Sequence, residues 1–221
     1  MRDNDSVAFS PEAIKKIISH GAVTFYKKGT YIFRDKFACN SVFILLNGKA
    51  AIYKLNESGQ KRVIFILDEG MLLSELASER FAPSASCNAF EDCTVLVIGR
   101  AAFDRLMAQD FELAKMVIEQ ISHKTRRMYR QLKNAGSVTK VEKRVAAKLW
   151  KLCRDYGKKT DGGVLIDIEI SSVNLADLIG IRRETVSRSL KILASEGLII
   201  SEKRKIIVLD PDKLSNFFKG L

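Results

Sequence analysis

Nothing in the 221-residue sequence reads as a membrane segment, since no apolar run approaches the roughly 20 residues that span a bilayer. The polar, acidic start MRDNDSVAFSPEAIKK is not expected to be a signal peptide. Histidine is scarce, with only His20 and His123. A metalloenzyme built on a β-barrel needs clustered histidines and carboxylates, and two distant histidines do not supply them. No nucleophile–histidine–acid set and no P-loop is visible. No catalytic or metal-ligating residue is therefore assigned and an enzyme is not expected. The barrel metalloenzyme remains the competing class, separable by metal content and DNA affinity. Cysteine is sparse too. Cys39, Cys87, Cys93 and Cys153 form no CxxC pair and no zinc-finger spacing, which fits reduced thiols in the cytoplasm.

Positive charge, by contrast, is abundant. Lysine and arginine number 37 against 26 acidic residues, for a net charge of +11 and a sequence pI of about 9.5. Such an excess favours a polyanionic partner such as nucleic acid. A hydrophobic fraction of 47% allows a sizeable core, and the length suits one large domain or two modest ones.

The most informative stretch runs from Ser171 to Gly197, SSVNLADLIGIRRETVSRSLKILASEG. Ser171 or Ser172 can cap a first helix, on which Leu175, Leu178 and Ile179 share an apolar face. Gly180 permits a sharp turn. A second helix follows with Val186, Leu190 and Leu193 inward and Gly197 available at its C-terminal end. Its other face carries Arg183, Glu184, Ser187, Arg188 and Lys191. This is a helix-turn-helix whose second helix suits the DNA major groove. Arginine can donate a bidentate fork to guanine, and glutamate can accept from cytosine. The blander reading is that Glu184 and Arg188, four apart, form a surface ion pair. The hairpin LIISEKRKIIVL, Leu198 to Leu209, then reads as a wing. Its tip residues Lys203, Arg204 and Lys205 lie near phosphates in this reading.

The rest of the chain falls into order around that motif. Pro11 to His20 reads as a helix with Ile14, Ile17 and Ile18 on one face. From Ala22 to about Ile98, short Val-, Ile-, Phe- and Tyr-rich runs alternate with turns such as Lys28-Gly29, Asn47-Gly48, Ser58-Gly59 and Glu69-Gly70. That pattern predicts an antiparallel sandwich or jelly roll. Arg100 to Ala108 is a short helix with Phe103 and Leu106 inward. A long helix runs from about Asp110 to Ala135. Its apolar positions Ala114, Ile118, Ile121, Thr125, Met128, Leu132 and Ala135 are spaced 4, 3, 4, 3, 4 and 3, a heptad seam that predicts a parallel dimer. Arg126, Arg127, Arg130 and Lys133 are expected to flank it in solvent. Gly136-Ser137 reads as a hinge. Thr139-Lys140-Val141-Glu142 reads as a capping box opening a helix to about Tyr156, with Val145, Leu149, Leu152 and Tyr156 inward. Gly162-Gly163 leads into a strand over Val164–Ile170, and a tail helix starts near Pro211.

With RRETVSRSLKILASEGLI, the barrel start YKKGTYIF and the segment DEGMLLSELA in place, the chain resembles the superfamily of the cyclic-AMP receptor protein and the fumarate–nitrate reduction regulator (CRP/FNR). The resemblance covers nearly the whole chain. It implies an α+β fold: a cyclic-nucleotide-binding-like β jelly roll over 1–109, a long dimerisation helix over 110–136, and a winged helix-turn-helix over 137–221. It further implies a cytoplasmic homodimeric transcription regulator, an activator, that binds palindromic double-stranded DNA and contacts RNA polymerase. Arg183, Glu184, Thr185, Ser187, Arg188, Lys191, Lys203 and Arg204 are its candidate DNA contacts. Glu184, Ser187 and Arg188 match the E-x-x-S-R signature of the branch that reads TTGA-type half-sites. Arg183 matches an arginine of the cyclic-AMP branch, which reads TGTGA but often carries glycine where Ser187 stands here.

In the family's cyclic-nucleotide binders, a segment like GELA…RSA cradles the phosphate. The matching residues here are Ser74-Glu75-Leu76-Ala77 and Pro83-Ser84-Ala85. The ribose-binding acid persists as Glu75, but the phosphate arginine is replaced by Pro83, which has neither charge nor N–H. An unpaired buried phosphate is costly, so cyclic AMP is not the expected effector. A small-molecule effector is expected to be lined by Leu73, Ser74, Glu75, Ser84 and Ala85, with Thr125, Met128 and Tyr129 from the long helix. The alternative is a cyclic-nucleotide- or haem-dependent regulator with a TGTGA-like site, haem being held by His20 or His123. An iron–sulfur cluster is not expected, since the cysteines are not grouped. Cys87 and Cys93 flank an expected hairpin turn at Phe90-Glu91-Asp92, where a disulfide competes with two reduced core thiols. A cyclic-nucleotide-gated regulator of another protein would not need a base-reading helix.

Overall fold

The structure is a computed structural model that describes residues 7–75, 82–135, 140–202 and 204–220, without the side chains of 133–135. It divides into two compact units, one made of most of the chain through the long helix and one made of the chain after it together with residues 55–62.

The first unit opens on α1 (Pro11–Ile17), where the Ser10 hydroxyl caps by accepting from the Ala13 N–H at 3.1 Å. Its buried residues are Ala13 and Ile17, while Ile18 lies exposed in a following 3-10 turn rather than on the shared face expected for it. The strands β1 (Ala22–Tyr26), β2 (Tyr31–Phe33), β3 (Ser41–Asn47), β4 (Ala50–Leu55), β5 (Lys61–Leu67), β6 (Ser86–Ala89) and β7 (Cys93–Gly99) follow. They form two sheets, ordered β1-β7-β3 and β2-β6-β4-β5, with antiparallel pairing. This is the expected antiparallel sandwich.

Alternation along β3 and β7 creates two cores. Phe43, Leu45, Cys93 and Val95 pack between the sheets with Phe33, Ile52, Phe65 and Leu67. Val42, Ile44, Leu96 and Ile98 face the other way, onto the helices, with Phe9, Ile17 and Phe103. A strand buried on both faces must be apolar at every position, which accounts for the run VFILL. Cys87 and Cys93 do not flank a hairpin, because β6 and β7 belong to different sheets. Both are buried thiols outside any disulfide, and burial pushes Cys93 up to about 11.

After α2 (Arg100–Gln109), with Phe103 buried, comes α3 (Phe111–Ala135). Asp110 caps it by accepting from the Leu113 N–H at 3.2 Å. Leu113 and Val117 join the helix-side core, and Gln120 and Arg127 continue the buried stripe. Arg127 is therefore not in solvent as expected, and its guanidinium lies 4.7 Å from the centre of the Phe65 ring. The heptad seam is on another face. Ile118 is 61% exposed and Leu132 69%, with Ile121 and Met128 also open to solvent.

The second unit begins with α4 (Val141–Tyr156), whose N-cap is Lys140 with no side-chain cap bond. The expected capping box rests on Thr139, which lies outside the described residues together with the Gly136-Ser137 hinge. Val145, Leu149, Leu152 and Tyr156 are buried as expected. A hairpin of β8 (Gly157–Thr160) and β9 (Gly163–Ile166) follows. The expected strand over Val164–Ile170 thus stops at Ile166. Ile168 and Ile170 are still buried, but the chain leaves the ladder. Instead, the Asp167 N–H donates to the Tyr156 carbonyl and that of Ile170 to the Arg204 carbonyl. The unit continues through α5 (Ser172–Ile179), α6 (Arg183–Ser195), β10 (Ile199–Glu202), β11 (Lys205–Val208) and α7 (Pro211–Lys219), its sheet ordered β10-β11-β9-β8.

Leu96 and Val23 face each other in the β1–β7 register, yet Leu96 is fully buried and Val23 exposed. Leu96→Ala is expected to cost about 2–5 kcal/mol in urea denaturation. Val23→Ala should stay within about 0.5 kcal/mol. Equal costs would contradict the placement of the second core.

Candidate functional site

The helix-turn-helix is built by local chemistry. Ser171 caps α5, its hydroxyl accepting from the Asn174 N–H at 3.1 Å while the Asn174 side chain accepts from the Ser171 N–H at 3.1 Å. Two orphan donors are thereby satisfied reciprocally. At the other end Gly180 takes a left-handed conformation with φ of 74°, which a side chain would strain, and its N–H closes on the Ala176 carbonyl. The Arg144 guanidinium donates to the Ile179 carbonyl at 3.1 Å, tying α4 to this end of α5.

On α6, Val186, Ser189, Leu190 and Leu193 are buried. The Ser189 hydroxyl is turned inward, donating to the Thr185 carbonyl at 3.0 Å. Arg183, Glu184, Arg188 and Lys191 are exposed, with Thr185 and Ser187 half-buried between them. Glu184 and Arg188 form no ion pair among the described residues, so the surface-pair reading is not what the structure adopts. Their side chains are available to another molecule. In the wing, Glu202 pairs with Lys205, and Arg204 turns the chain at φ of 71°. Arg204 and Lys205 are exposed, and the Arg204 guanidinium is 3.8 Å from a Glu169 carboxylate oxygen. Lys203 lies outside the described residues.

Arg182 was missed in the sequence. It is exposed at the N-cap of α6 and makes no cap bond. The available signal was negative: no Ser, Thr, Asp or Asn stands there, and two consecutive arginines sit at the positive end of the helix dipole. Both features weigh against the free helix and favour an anion at its N-terminus.

In the sensor unit, the Glu75 carboxylate accepts from the Ser84 hydroxyl and from the Ser84 N–H, the latter at 3.4 Å. That contact joins Leu73, Ser74 and Glu75 to Ser84 and Ala85. Leu73 and Ala85 belong to the core between the sheets. Ser74 is only 5% exposed, and its hydroxyl oxygen has no hydrogen-bond partner among the described residues. Pro83 is buried, and its carbonyl accepts from the Lys36 N–H at 3.1 Å.

The three residues expected from the long helix are not the ones turned to the barrel. Thr125 donates to the Ile121 carbonyl on its own helix, and Met128 and Tyr129 are exposed. The barrel is met instead by a neighbouring stripe, 113, 117, 120, 124, 127 and 131, which is polar from Gln120 onward. Gln120, fully buried, accepts from the Leu72 N–H at 2.7 Å and donates to the Gly70 carbonyl at 3.1 Å. Lys124 donates to the Leu72 carbonyl, and Gln131 to that of Ile64 at 2.9 Å. Burial of its ammonium pulls Lys124 down to about 8, a shift that Cys87 and Glu75 oppose and Arg127 reinforces. His20 is exposed and His123 half-buried. Among the described residues no group of three or more metal-ligating side chains occurs, and no helix is long and apolar enough to cross a membrane.

Residues 23–110 match the family model described as a cyclic nucleotide-binding domain, and residues 143–217 match the Crp-like helix-turn-helix domain. The chain belongs to the CRP/FNR family of transcription regulators. Within that family, it is 27% identical to the global nitrogen regulator of Synechococcus elongatus, over 87% of this chain and 88% of that protein. It is 22% identical to the CRP-like cAMP-activated global transcriptional regulator of Mycobacterium tuberculosis, over 93% of this chain and 92% of the other. Among solved structures, the c-di-GMP-responsive global regulator CLP of Xanthomonas campestris superposes with a TM-score of 0.81 at 18% identity, covering 91% of this chain and all of that one (100%). As a member of this family the chain is a DNA-binding transcription regulator with a sensor domain.

Arg182→Ser is expected to stabilise the winged unit by about 1 kcal/mol through a new cap. The same variant should lower the slope of log K for DNA against log salt by about one contact. Melting curves and salt titrations check the two effects separately. A variant that is less stable would contradict the uncapped N-terminus.

Proposed function

We propose that the protein is a cytoplasmic, effector-responsive homodimer that activates transcription by binding a TTGA-like palindrome and contacting RNA polymerase. The sensor spans 1–109, the dimerisation helix 110–136 and the DNA reader 137–221. The observation that carries the reading is the outward face of α6, where Glu184 and Arg188 lie four residues apart, both exposed and both without an ion pair among the described residues. A free carboxylate and a free guanidinium on one face can read adjacent C and G edges. Ser187 between them supports TTGA. The exposed Arg183 favours a second reading, a TGTGA-like site, and the same experiment decides between them. Arg182, Arg204 and Lys205 supply phosphate contacts, with Lys203 as the fourth cation of the set.

Two-fold symmetry is assigned to the seam of α3. Ile118, Ile121, Met128 and Leu132 form an apolar stripe left open on the helix. Such a stripe at heptad spacing gains most by packing against its own copy. The effector is not cyclic AMP, because Pro83 stands where a phosphate arginine would be. Relatives named for cAMP and for c-di-GMP support the view that this fold does not dictate one effector.

Fluorescence anisotropy on TTGAT-N4-ATCAA, a TGTGA palindrome and a scrambled duplex tests the reading. Preference for the first is expected. Changing the G·C pair of each half-site should cost about 1–3 kcal/mol per half-site, and Arg188→Ala should abolish that discrimination. Retained affinity for the altered duplex would sink the base-reading assignment. Ile118→Glu with Ile121→Glu should give a monomer in sedimentation and lose at least tenfold in palindrome affinity. A double variant that remains dimeric would remove the seam from the interface.

A further inference from the structure

We infer that Arg204, at the tip of the wing, makes its phosphate contact across the minor groove that flanks each half-site, and that the protein thereby selects A·T-rich flanks by groove width. This rests on the reading of α6 as the base-reading helix. It adds a specificity-determining residue outside the bases which that helix touches.

Three observations within the winged unit converge. Arg204 holds a φ of 71°, in the left-handed region where glycine, asparagine or aspartate is the usual occupant. An arginine there is strained, and strain of this kind clusters where the position of a side chain is used. The tip is also clamped. The Arg204 carbonyl accepts from the Ile170 N–H at 3.1 Å, and Ile170 directly precedes Ser171, the N-cap of α5. In a helix-turn-helix, the helix before the reader crosses the phosphate backbone. The wing tip is thereby held beside the phosphate strand that borders the groove read by α6. The four-residue strand β10, which follows α6, spans about 13 Å. That is close to the half-repeat of about 17 Å that separates a major groove from the next minor groove. Finally, the Arg204 guanidinium is held only loosely in the free protein. Its pair with Glu169 is 3.8 Å long, between side chains that are both mostly in solvent. Such a pair contributes little and yields to stronger acceptors. A·T-rich tracts offer them, because their narrow minor groove has an enhanced negative potential that attracts arginine. A G·C pair instead puts an amino donor into that groove.

The test is anisotropy of the full chain on the TTGA-type palindrome with three flanks outside the half-sites: A·T pairs, G·C pairs and inosine·cytosine pairs. Inosine lacks the minor-groove amino group of guanine and keeps its major-groove acceptors. The wild type should bind the A·T and inosine flanks about fivefold or more tightly than the G·C flank. Arg204→Ala and Arg204→Gly should bind all three flanks within about twofold of one another. Glycine accepts the left-handed turn without strain, so Arg204→Gly should melt no lower than the wild type, and its loss of preference is read on a folded protein. Lys205→Ala, an exposed change beside the tip, should weaken binding by a similar factor on every flank and keep the preference. Equal wild-type affinity for the three flanks overturns the inference. So does an inosine flank that behaves like G·C, which would move the reading out of the minor groove. A preference that survives in both Arg204 variants overturns it as well. Discrimination against an altered G·C pair inside the half-site persists if only this inference fails, and is lost if the base-reading assignment of α6 fails.

Discussion

The amide of Gln120 is the contact on which the sensor unit turns. It is wholly buried and satisfied at both ends by backbone, the Leu72 N–H and the Gly70 carbonyl. A buried amide stripped of such partners costs about 1–3 kcal/mol, so the bonds hold α3 in one register against the strand-to-loop segment that leads into Ser74 and Glu75. On the N-terminal side of Gln120 the helix is held by Leu113 and Val117, through apolar burial. On the C-terminal side it is held by Lys124, Arg127 and Gln131, through polar contacts to carbonyls and a ring face. Apolar burial is non-directional, whereas a hydrogen bond weakens steeply once its length or angle departs from the preferred range.

The DNA-facing helix carries a related tension. An arginine at its N-cap, another at its first position, and a Glu184 and Arg188 with no ion pair among the described residues are poor choices for the stability of a free helix. Each becomes favourable against a polyanion or a base edge. Sites that break local rules without compensation in the free molecule are where function is most often found. The Ser171–Asn174 box, the Gly180 turn and the buried Val186, Leu190 and Leu193 stabilise the frame that presents this face.

Much of the fold was legible because its signals are local. The β-turn spacing, the buried faces of α4 and α6, the Ser171 cap and the Gly180 turn each follow from a few adjacent residues. The misreadings share one cause. Val164–Ile170 keeps strand alternation, but whether a strand continues depends on a partner's N–H and C=O, and here those of Tyr156 and Arg204 draw the chain away. Cys87 and Cys93 are close in sequence, yet their strands pair in different sheets. On α3, the stripe that meets the barrel has the same 4, 3, 4, 3 spacing as the seam, but it is polar at Gln120, Lys124, Arg127 and Gln131, so hydrophobic periodicity passed over it and placed Arg127 in solvent.

By itself the sequence determined the element types, the order of sensor, long helix and winged reader, and the family, because periodicity, caps and turn residues act within a few positions of one another. The tertiary structure decided which face of α3 meets the barrel, that Lys124 and Arg127 are drawn out of water, and that Glu184 and Arg188 form no ion pair among the described residues. Those outcomes depend on backbone groups and side chains brought together from distant positions, and no local pattern encodes where a carbonyl such as that of Leu72 will lie.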